Sequence, residues 1–451
     1  MPPESPNPLK SAKDQEIDDM LSRFQPMEDP DDLPGENTQI KKVAGLEKLR
    51  GEDVTELSEA DLEEIDETEL SEADLEEIPV PQSGTMRRAE YRVVESREKE
   101  TDLKYGMATE ASPEHPDRNE DAAFYSAKRG LQFVADGMGG VPAGDFASAK
   151  AAEQLTRPGL EKASQGVREV LMAGREEVQD QKNVENAVSA IIKQMNDEIV
   201  KFNQGDETVK SKAAEYFEKE VGQTYDPDNT QHKQVMDGLL KSIGCTVSMS
   251  KIWKGPDGKD KLTIGNVGDS RTYRLRKGNL EKLSKDSSHV QILVDEGLLK
   301  NDEDVTAQID KQAIMALEPK YPEIKALIPS LVRTEGPTVS LDSIRNRITM
   351  AAGVGEMMKR QYGVEFTPYV KTVDLEDGDV ILTASDGVID NLTDSEIQAI
   401  LMLHDDNPLE AAQKLQQAAT ERSIKGKTIN ARAKKDDVTA LITRYTKNGK
   451  A

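Results

Sequence analysis

Residues 131–140 read LQFVADGMGG. Leu131, Phe133 and Val134 make a short apolar run of strand-forming residues, the length of a buried strand. The run ends at Asp136, and Gly137, Gly139 and Gly140 follow at once. Glycines let the backbone turn tightly and leave a carbonyl uncovered. A side-chain carboxylate and a main-chain carbonyl can then hold the same hard cation. Taken alone, the stretch reads equally well as a strand that ends in an acidic turn.

Four further acidic stretches share the pattern. IGNVGDSRTY (264–273) delivers Asp269 into a turn, and VILTASDGVIDNL (380–392) ends its apolar run at Ser385-Asp386-Gly387. KDDVTALI (435–442) opens a strand with Asp436 and Asp437, and RNEDAAF (118–124) carries Glu120 and Asp121. Carboxylates recur at strand ends too regularly for ordinary turns. They predict an oxygen-ligand site for Mg2+ or Mn2+, assembled from distant parts of the chain.

In this order the motifs NED, ADGMGG, GNVGDSR, SDG and DDVT resemble the metal-dependent protein phosphatases of type 2C, over roughly residues 88–446. Met138 is the form typical of bacterial members. The resemblance implies an α/β (α+β) fold: a four-layer α-β-β-α sandwich of two mainly antiparallel sheets, with strand ends converging at one edge. It implies that Asp136 bridges two core Mn2+ or Mg2+ ions and that the Gly137 carbonyl binds one of them. Asp386 and Asp436 complete the other, and Glu120 and Asp121 stand in the surrounding shell. Asp269 with Asp386 would hold a third, weaker ion. The implied activity is hydrolysis of phosphoserine and phosphothreonine in proteins by a metal-activated water, with Asp136, Asp386 and Asp436 as the catalytic set and no thiol or hydroxyl nucleophile. The family's phosphate-gripping arginine lies four residues before the glutamate, where this chain has Pro116; Arg118 is the nearest substitute. Two other readings stay open: a non-catalytic domain of this fold that binds a partner, and a calcium-binding acidic protein. The loops DPDDLPGE and DPDN lack the spacing that the latter requires.

The chain has 451 residues, a formal charge of −26 and only 4% aromatics, so its core must be mostly aliphatic. The single cysteine, Cys245, excludes intrachain disulfides, and its alternating context, SIGCTVSM, marks a core thiol. No long apolar run and no charged-then-apolar leader occur, which predicts a cytoplasmic protein without a membrane span. Residues 1–85 hold 25 acidic against 7 basic residues and are proline-rich, a composition that predicts a disordered arm and argues against nucleic-acid binding. Within the arm, TELSEADLEEI occupies Thr55–Ile65 and recurs at Thr68–Ile78. Ser58 and Ser71 are placed to cap short amphipathic helices, readable as docking motifs or as duplicated linker.

The folded domain is expected at 86–446, opening with a strand at Tyr91–Ser96 and a polar loop at 107–117. Helices are predicted at Phe146–Leu155, Val184–Phe202, Asp394–Leu403 and Pro408–Ser423, and strands at Cys245–Ile252, Lys261–Val267, Thr272–Arg276, Val380–Thr383 and Val438–Thr443. Two insertions are expected: a charged, mobile helical one near 205–236, and one near 305–340 that lengthens the family's flap. Asp286-Ser287-Ser288 stands where the family usually has Asp-His-Ser. The expected partners are a phosphorylated protein, a serine/threonine kinase among them, and a docking partner for the acidic arm.

Overall fold

The computed structural model describes residues 103–138, 143–428 and 430–447. The acidic arm with its repeat, the boundary near residue 86, the strand expected at Tyr91–Ser96, and Gly139 and Gly140 lie outside the described residues.

In chain order the strands are β1 (Leu103–Glu110), β2 (Asp121–Ser126), β3 (Leu131–Met138), β4 (Gly244–Cys245), β5 (Val247–Lys254), β6 (Asp260–Val267) and β7 (Arg271–Arg276). Then follow β8 (Asn279–Lys282), β9 (Gln308–Asp310), β10 (Thr338–Ser340), β11 (Tyr369–Asp374), β12 (Val380–Ala384) and β13 (Val438–Tyr445). One sheet has the order β1-β13-β12-β7-β8 and the other β11-β6-β5-β3-β2, with β4 added beside the end of β3. Pairing within both sheets is antiparallel.

Period-two alternation builds the layers. On β3, Leu131, Phe133 and Ala135 face the helices Gly144–Glu153 and Gln181–Gly205, whereas Val134 faces the other sheet. On β13, Val438, Ala440 and Ile442 face Asp394–Leu403 and Pro408–Lys425, whereas Leu441 and Tyr445 turn inward. Three apolar layers result, one under each helical face and one between the sheets. This is the four-layer α-β-β-α sandwich that the motifs imply.

The inner layer is not apolar throughout. Gln132 on β3 donates from Nε2 to Thr383 Oγ1 at 2.6 Å and accepts from Thr443. Thr383 meets Thr272 at 3.1 Å, and Thr272 meets Ser248 at 2.9 Å. These hydroxyls join the two sheets by short, satisfied hydrogen bonds, which fix how one sheet lies on the other.

One expectation is corrected. The polar loop expected at 107–117 begins only after Glu110, because β1 continues through residues 107–110. Gly106 interrupts the strand signal there, and its reason is steric. A Cβ at Gly106 would stand 2.1 Å from the backbone nitrogen of Leu409, so the C-terminal helix lies directly on the strand. Residues 205–236 form packed helices, Glu207–Val221 and the start of Thr230–Ser242, which bury Val209, Ala213, Phe217 and Met236 in the main core. Few of their residues face inward, so their apolar side reads weakly in sequence. The 305–340 stretch belongs to a lobe with its own core, including Leu293, Ile309, Ile314, Leu327, Val339 and Leu341, and the antiparallel pair β9 and β10.

Behind β4, Cys245 exchanges backbone hydrogen bonds with Ala352, both at 2.9 Å. The buried Asn196 on the long helix holds that loop, its Oδ1 accepting from the N–H of Gly353 at 3.0 Å and of Gly355 at 3.2 Å. Asn196→Leu orphans both N–H groups and is expected to lower the unfolding free energy by about 2–4 kcal/mol in urea denaturation. Asn183→Leu, exposed on the first turn of the same helix, should stay within about 0.5 kcal/mol. Equal effects at the two positions would contradict this account.

Candidate metal centre

The strand directions bring acidic residues to one end of the seam between the sheets. Antiparallel pairing of β2 with β3 sets Asp121 directly opposite Asp136. From the other sheet, β12 ends at Ala384 and, through Ser385, delivers Asp386 as the first residue of the short helix Asp386–Ile389. The extended segment before β13 supplies Asp436. Asp121, Asp136, Asp386 and Asp436 lie within electrostatic reach of one another. Asp269, in the turn between β6 and β7, flanks Asp386.

Supports from both sheets hold these groups. The backbone N–H of Asp136 donates to Thr246 Oγ1 at 2.9 Å, and its carbonyl accepts the Thr246 N–H at 2.8 Å. Ser385 Oγ donates to Asp121 Oδ2 at 2.7 Å while accepting the N–H of Thr439 at 3.0 Å. One hydroxyl thereby ties a carboxylate of one sheet to the backbone of the other. Gly137 and Gly387 are demanded by space: a Cβ would fall 2.3 Å from Gly144 and 1.9 Å from the Asp437 carbonyl, respectively. The Gly137 N–H donates to the Glu120 carbonyl at 3.0 Å.

Burial raises the Asp136 carboxyl well above the usual range, and Asp386, Asp121 and Asp436 raise it further against the opposing effect of Lys434. Burial likewise raises Asp121, with Asp437 adding to it, and Asp269, with Asp386 adding to it. Asp386 is raised too, because burial and Asp436 outweigh the neighbouring ammonium. Lys434 is that ammonium. Its Nζ contacts Asp386 Oδ2 and lies 2.8 Å from Asp436 Oδ2 and 3.2 Å from Asp390 Oδ2. Burial opposes its charge, but Asp386, Asp436, Asp390 and Asp136 prevail and raise its pKa well above the ordinary lysine value.

The donor set fits a hard divalent cation. It consists of oxygens only. Asp121 Oδ1 and Asp386 Oδ1 are buried without a hydrogen-bond partner among the described residues. A buried carboxylate oxygen in that condition is costly unless a cation meets it.

Glu120 and Arg118 fall elsewhere. Asp121 turns into the seam, whereas Glu120 turns to its flank, where Arg118 Nη2 lies 2.8 Å from Glu120 Oε1. The Arg118 guanidinium is therefore engaged by its own motif. Asp437 accepts the backbone N–H groups of Ser112 at 2.6 Å and Glu120 at 2.7 Å. His115, Glu120 and Asp437 each offer a ligand atom, all within 4.8 Å of one another. Those backbone bonds and Arg118 already occupy the two carboxylates, so this group reads as a clamp on the 112–120 loop. His115 completes it by bonding the Arg118 carbonyl through Nδ1 at 2.8 Å.

Sequence reasoning missed Lys434, Ser385 and Asp390. The usable signal for Lys434 was its spacing: on an extended segment residues 434 and 436 share a face, and 435 and 437 the other. The lobe is latched beside the seam. Arg271 pairs with Asp286 at 2.6 Å and also contacts Asp302, while the Arg432 guanidinium donates to the Glu303 carbonyl at 2.7 Å.

Residues 347–446 match the family described as Stage II sporulation protein E (SpoIIE). Solved structures similar to this chain include the serine/threonine phosphatase Stp1 from Staphylococcus aureus, at 20% identity and TM-score 0.47, covering 81% of this chain and 99% of that one. The catalytic domain of the serine/threonine protein phosphatase PstP, in complex with 2 manganese ions, is 20% identical with TM-score 0.41, over 76% and 99% of the two chains. The S. agalactiae serine/threonine phosphatase is 19% identical with TM-score 0.46, over 76% and 100%. No curated protein matches the chain in sequence.

Burial raises the Glu120 carboxyl to about 7, Arg118 lowering it and Asp437 raising it. The folded protein thus holds this proton more tightly than the unfolded chain. The stability it contributes is full below the ordinary glutamate value of about 4.5 and is lost as pH rises through about 7. In chelator, the wild-type melting temperature is expected to fall over that window, and Glu120→Gln should flatten the fall. An identical slope in the variant would refute the assignment.

Proposed function

We propose that the chain is a metal-dependent protein phosphatase of type 2C that hydrolyses phosphoserine and phosphothreonine in proteins, using two divalent cations, Mn2+ or Mg2+. The observation that carries this reading is the convergence of Asp121, Asp136, Asp386 and Asp436 from both sheets, with two of their oxygens lacking a hydrogen-bond partner among the described residues.

In this reading Asp136, Asp386 and Asp436 hold the ions, with the Gly137 carbonyl, and Asp121 stands against them from β2. Asp269 offers a place for a third. When bound, the cations bring a water's pKa toward neutrality and neutralise phosphoryl charge. The protein's own groups do the orienting. Ser385 fixes the Asp121 carboxylate, and Thr246 fixes the end of β3 that carries Asp136. Cys245 is fully buried and burial pushes its thiol far up, so it is no nucleophile. The leaving serine or threonine oxygen takes its proton from solvent. None of the four histidines lies in the seam: His115 belongs to the loop clamp, His232 packs on Phe217, His289 bonds to backbone carbonyls, and His404 is buried near Glu410.

No helix of the described residues is long and apolar enough to cross a membrane. We place the activity in the cytoplasm, on phosphorylated proteins that include a serine/threonine kinase. The division into an arm at 1–85, which recruits a partner through its acidic repeats, and a catalytic domain at 86–446 is part of the same proposal. One observation favours a second reading, a partner-binding domain without catalysis: the Lys434 ammonium among the carboxylates.

The purified chain should hydrolyse para-nitrophenyl phosphate and phosphothreonine peptides with Mn2+ and not with chelator. Asp136→Asn and Asp386→Asn should each reduce turnover by about 100-fold or more. A folded protein inactive in excess Mn2+ would overturn the enzymatic reading and leave the partner-binding one.

A further inference from the structure

Lys434 is delivered to the seam by dedicated support. The fully buried Asn391 clamps its backbone from both sides: Asn391 Oδ1 accepts the Lys434 N–H at 3.0 Å, and Asn391 Nδ2 donates to the Lys434 carbonyl at 2.9 Å. The same amide donates to the Gly387 carbonyl at 2.8 Å, next to Asp386. Lysine backbone and aspartate helix are therefore held in one register by a single side chain. From that anchor the ammonium reaches Asp386, Asp436 and Asp390, and the lysine side chain is only 14% exposed.

Two of those three carboxylates, Asp386 and Asp436, are the ones assigned above to the cations. An ammonium and a divalent ion cannot share those oxygens: they would be like charges a few ångströms apart in a partly buried site. Asp390 is different. It follows the last residue of the short helix and is not needed for the ions. It offers the lysine a partner after Asp386 and Asp436 are given up.

We propose that Lys434 is an internal competitor of the cation, a positioning residue that occupies the oxygens of Asp386 and Asp436 and must retreat toward Asp390 before an ion binds there. The proposal rests on the metal reading of the seam. Its consequences are two. Ion affinity is weakened, because each binding event breaks an existing ion pair. The fold also does not depend on the ion, because the lysine balances part of the buried negative charge in its stead.

The test compares wild type with Lys434→Met and Lys434→Arg by calorimetric Mn2+ titration and by melting with and without chelator. Lys434→Met is expected to bind Mn2+ about tenfold tighter or more, to melt lower than wild type in chelator, and to gain more from Mn2+. Lys434→Arg keeps the charge and should show no gain in affinity. In the wild type, the side-chain ammonium resonance of Lys434 should shift on saturation with diamagnetic Mg2+, a readout that needs no variant. Lys434→Met binding Mn2+ no more tightly than wild type, or an unmoved lysine resonance in Mg2+-saturated protein, would overturn the proposal while leaving the metal centre standing. Absence of Mn2+ binding by both wild type and Lys434→Met would overturn the metal reading and the proposal together.

Discussion

Four carboxylates share one partly enclosed space at the end of the seam between two sheets, and the surrounding structure is organised to tolerate that. Like charges this close raise one another's pKa, and burial adds to the effect. Asp121 and Asp136 face each other across one antiparallel pair, an arrangement that β-sheets ordinarily avoid. Retained protons, the Lys434 ammonium or a divalent ion must offset that charge for the grouping to be stable near neutral pH. The same shortage of positive charge is what gives the site its chemistry.

The seam is graded along its length. At one end Leu103, Tyr105, Leu262, Ile381 and Tyr445 pack as an apolar layer. Next comes the hydroxyl and amide ladder of Gln132, Thr383, Thr272, Ser248 and Thr443. Thr246, Ser270 and Ser385 lead from the ladder to the carboxylates. Apolar packing supplies cohesion, directional bonds set the alignment of the sheets, and that alignment positions the aspartates. A slip of one residue in β3 or β12 would turn each strand's inward residues outward. The register of the sheets and the geometry of the site are thus one constraint.

Much of this was legible in the sequence, for a physical reason. An aspartate at a strand end leaves a compact local record, and five such records in series pointed to Asp136, Asp386, Asp436, Asp121 and Asp269, with a glycine directly after Asp136 and Asp386. Helices such as Gln181–Gly205 were legible through Val184, Val188, Ile191, Met195 and Ile199. What escaped was information held between distant segments. β1 was hidden by Gly106, whose value lies in a helix hundreds of residues away. The inward faces of Glu207–Val221 and Thr230–Ser242 were too narrow to stand out. Arg118 could be named but not aimed; its partner proved to be Glu120. Lys434 was missed because a lysine beside acidic residues looks like any solvated charge until the chain's extended course turns it inward.

The most direct test is anomalous X-ray scattering from crystals of this protein grown with Mn2+. The account predicts manganese peaks within coordination distance of the carboxylate oxygens of Asp136, Asp386 and Asp436, with the Lys434 ammonium moved off Asp386 and Asp436. A map with no manganese at the seam, or with its strongest peak at His115, Glu120 and Asp437, would contradict it.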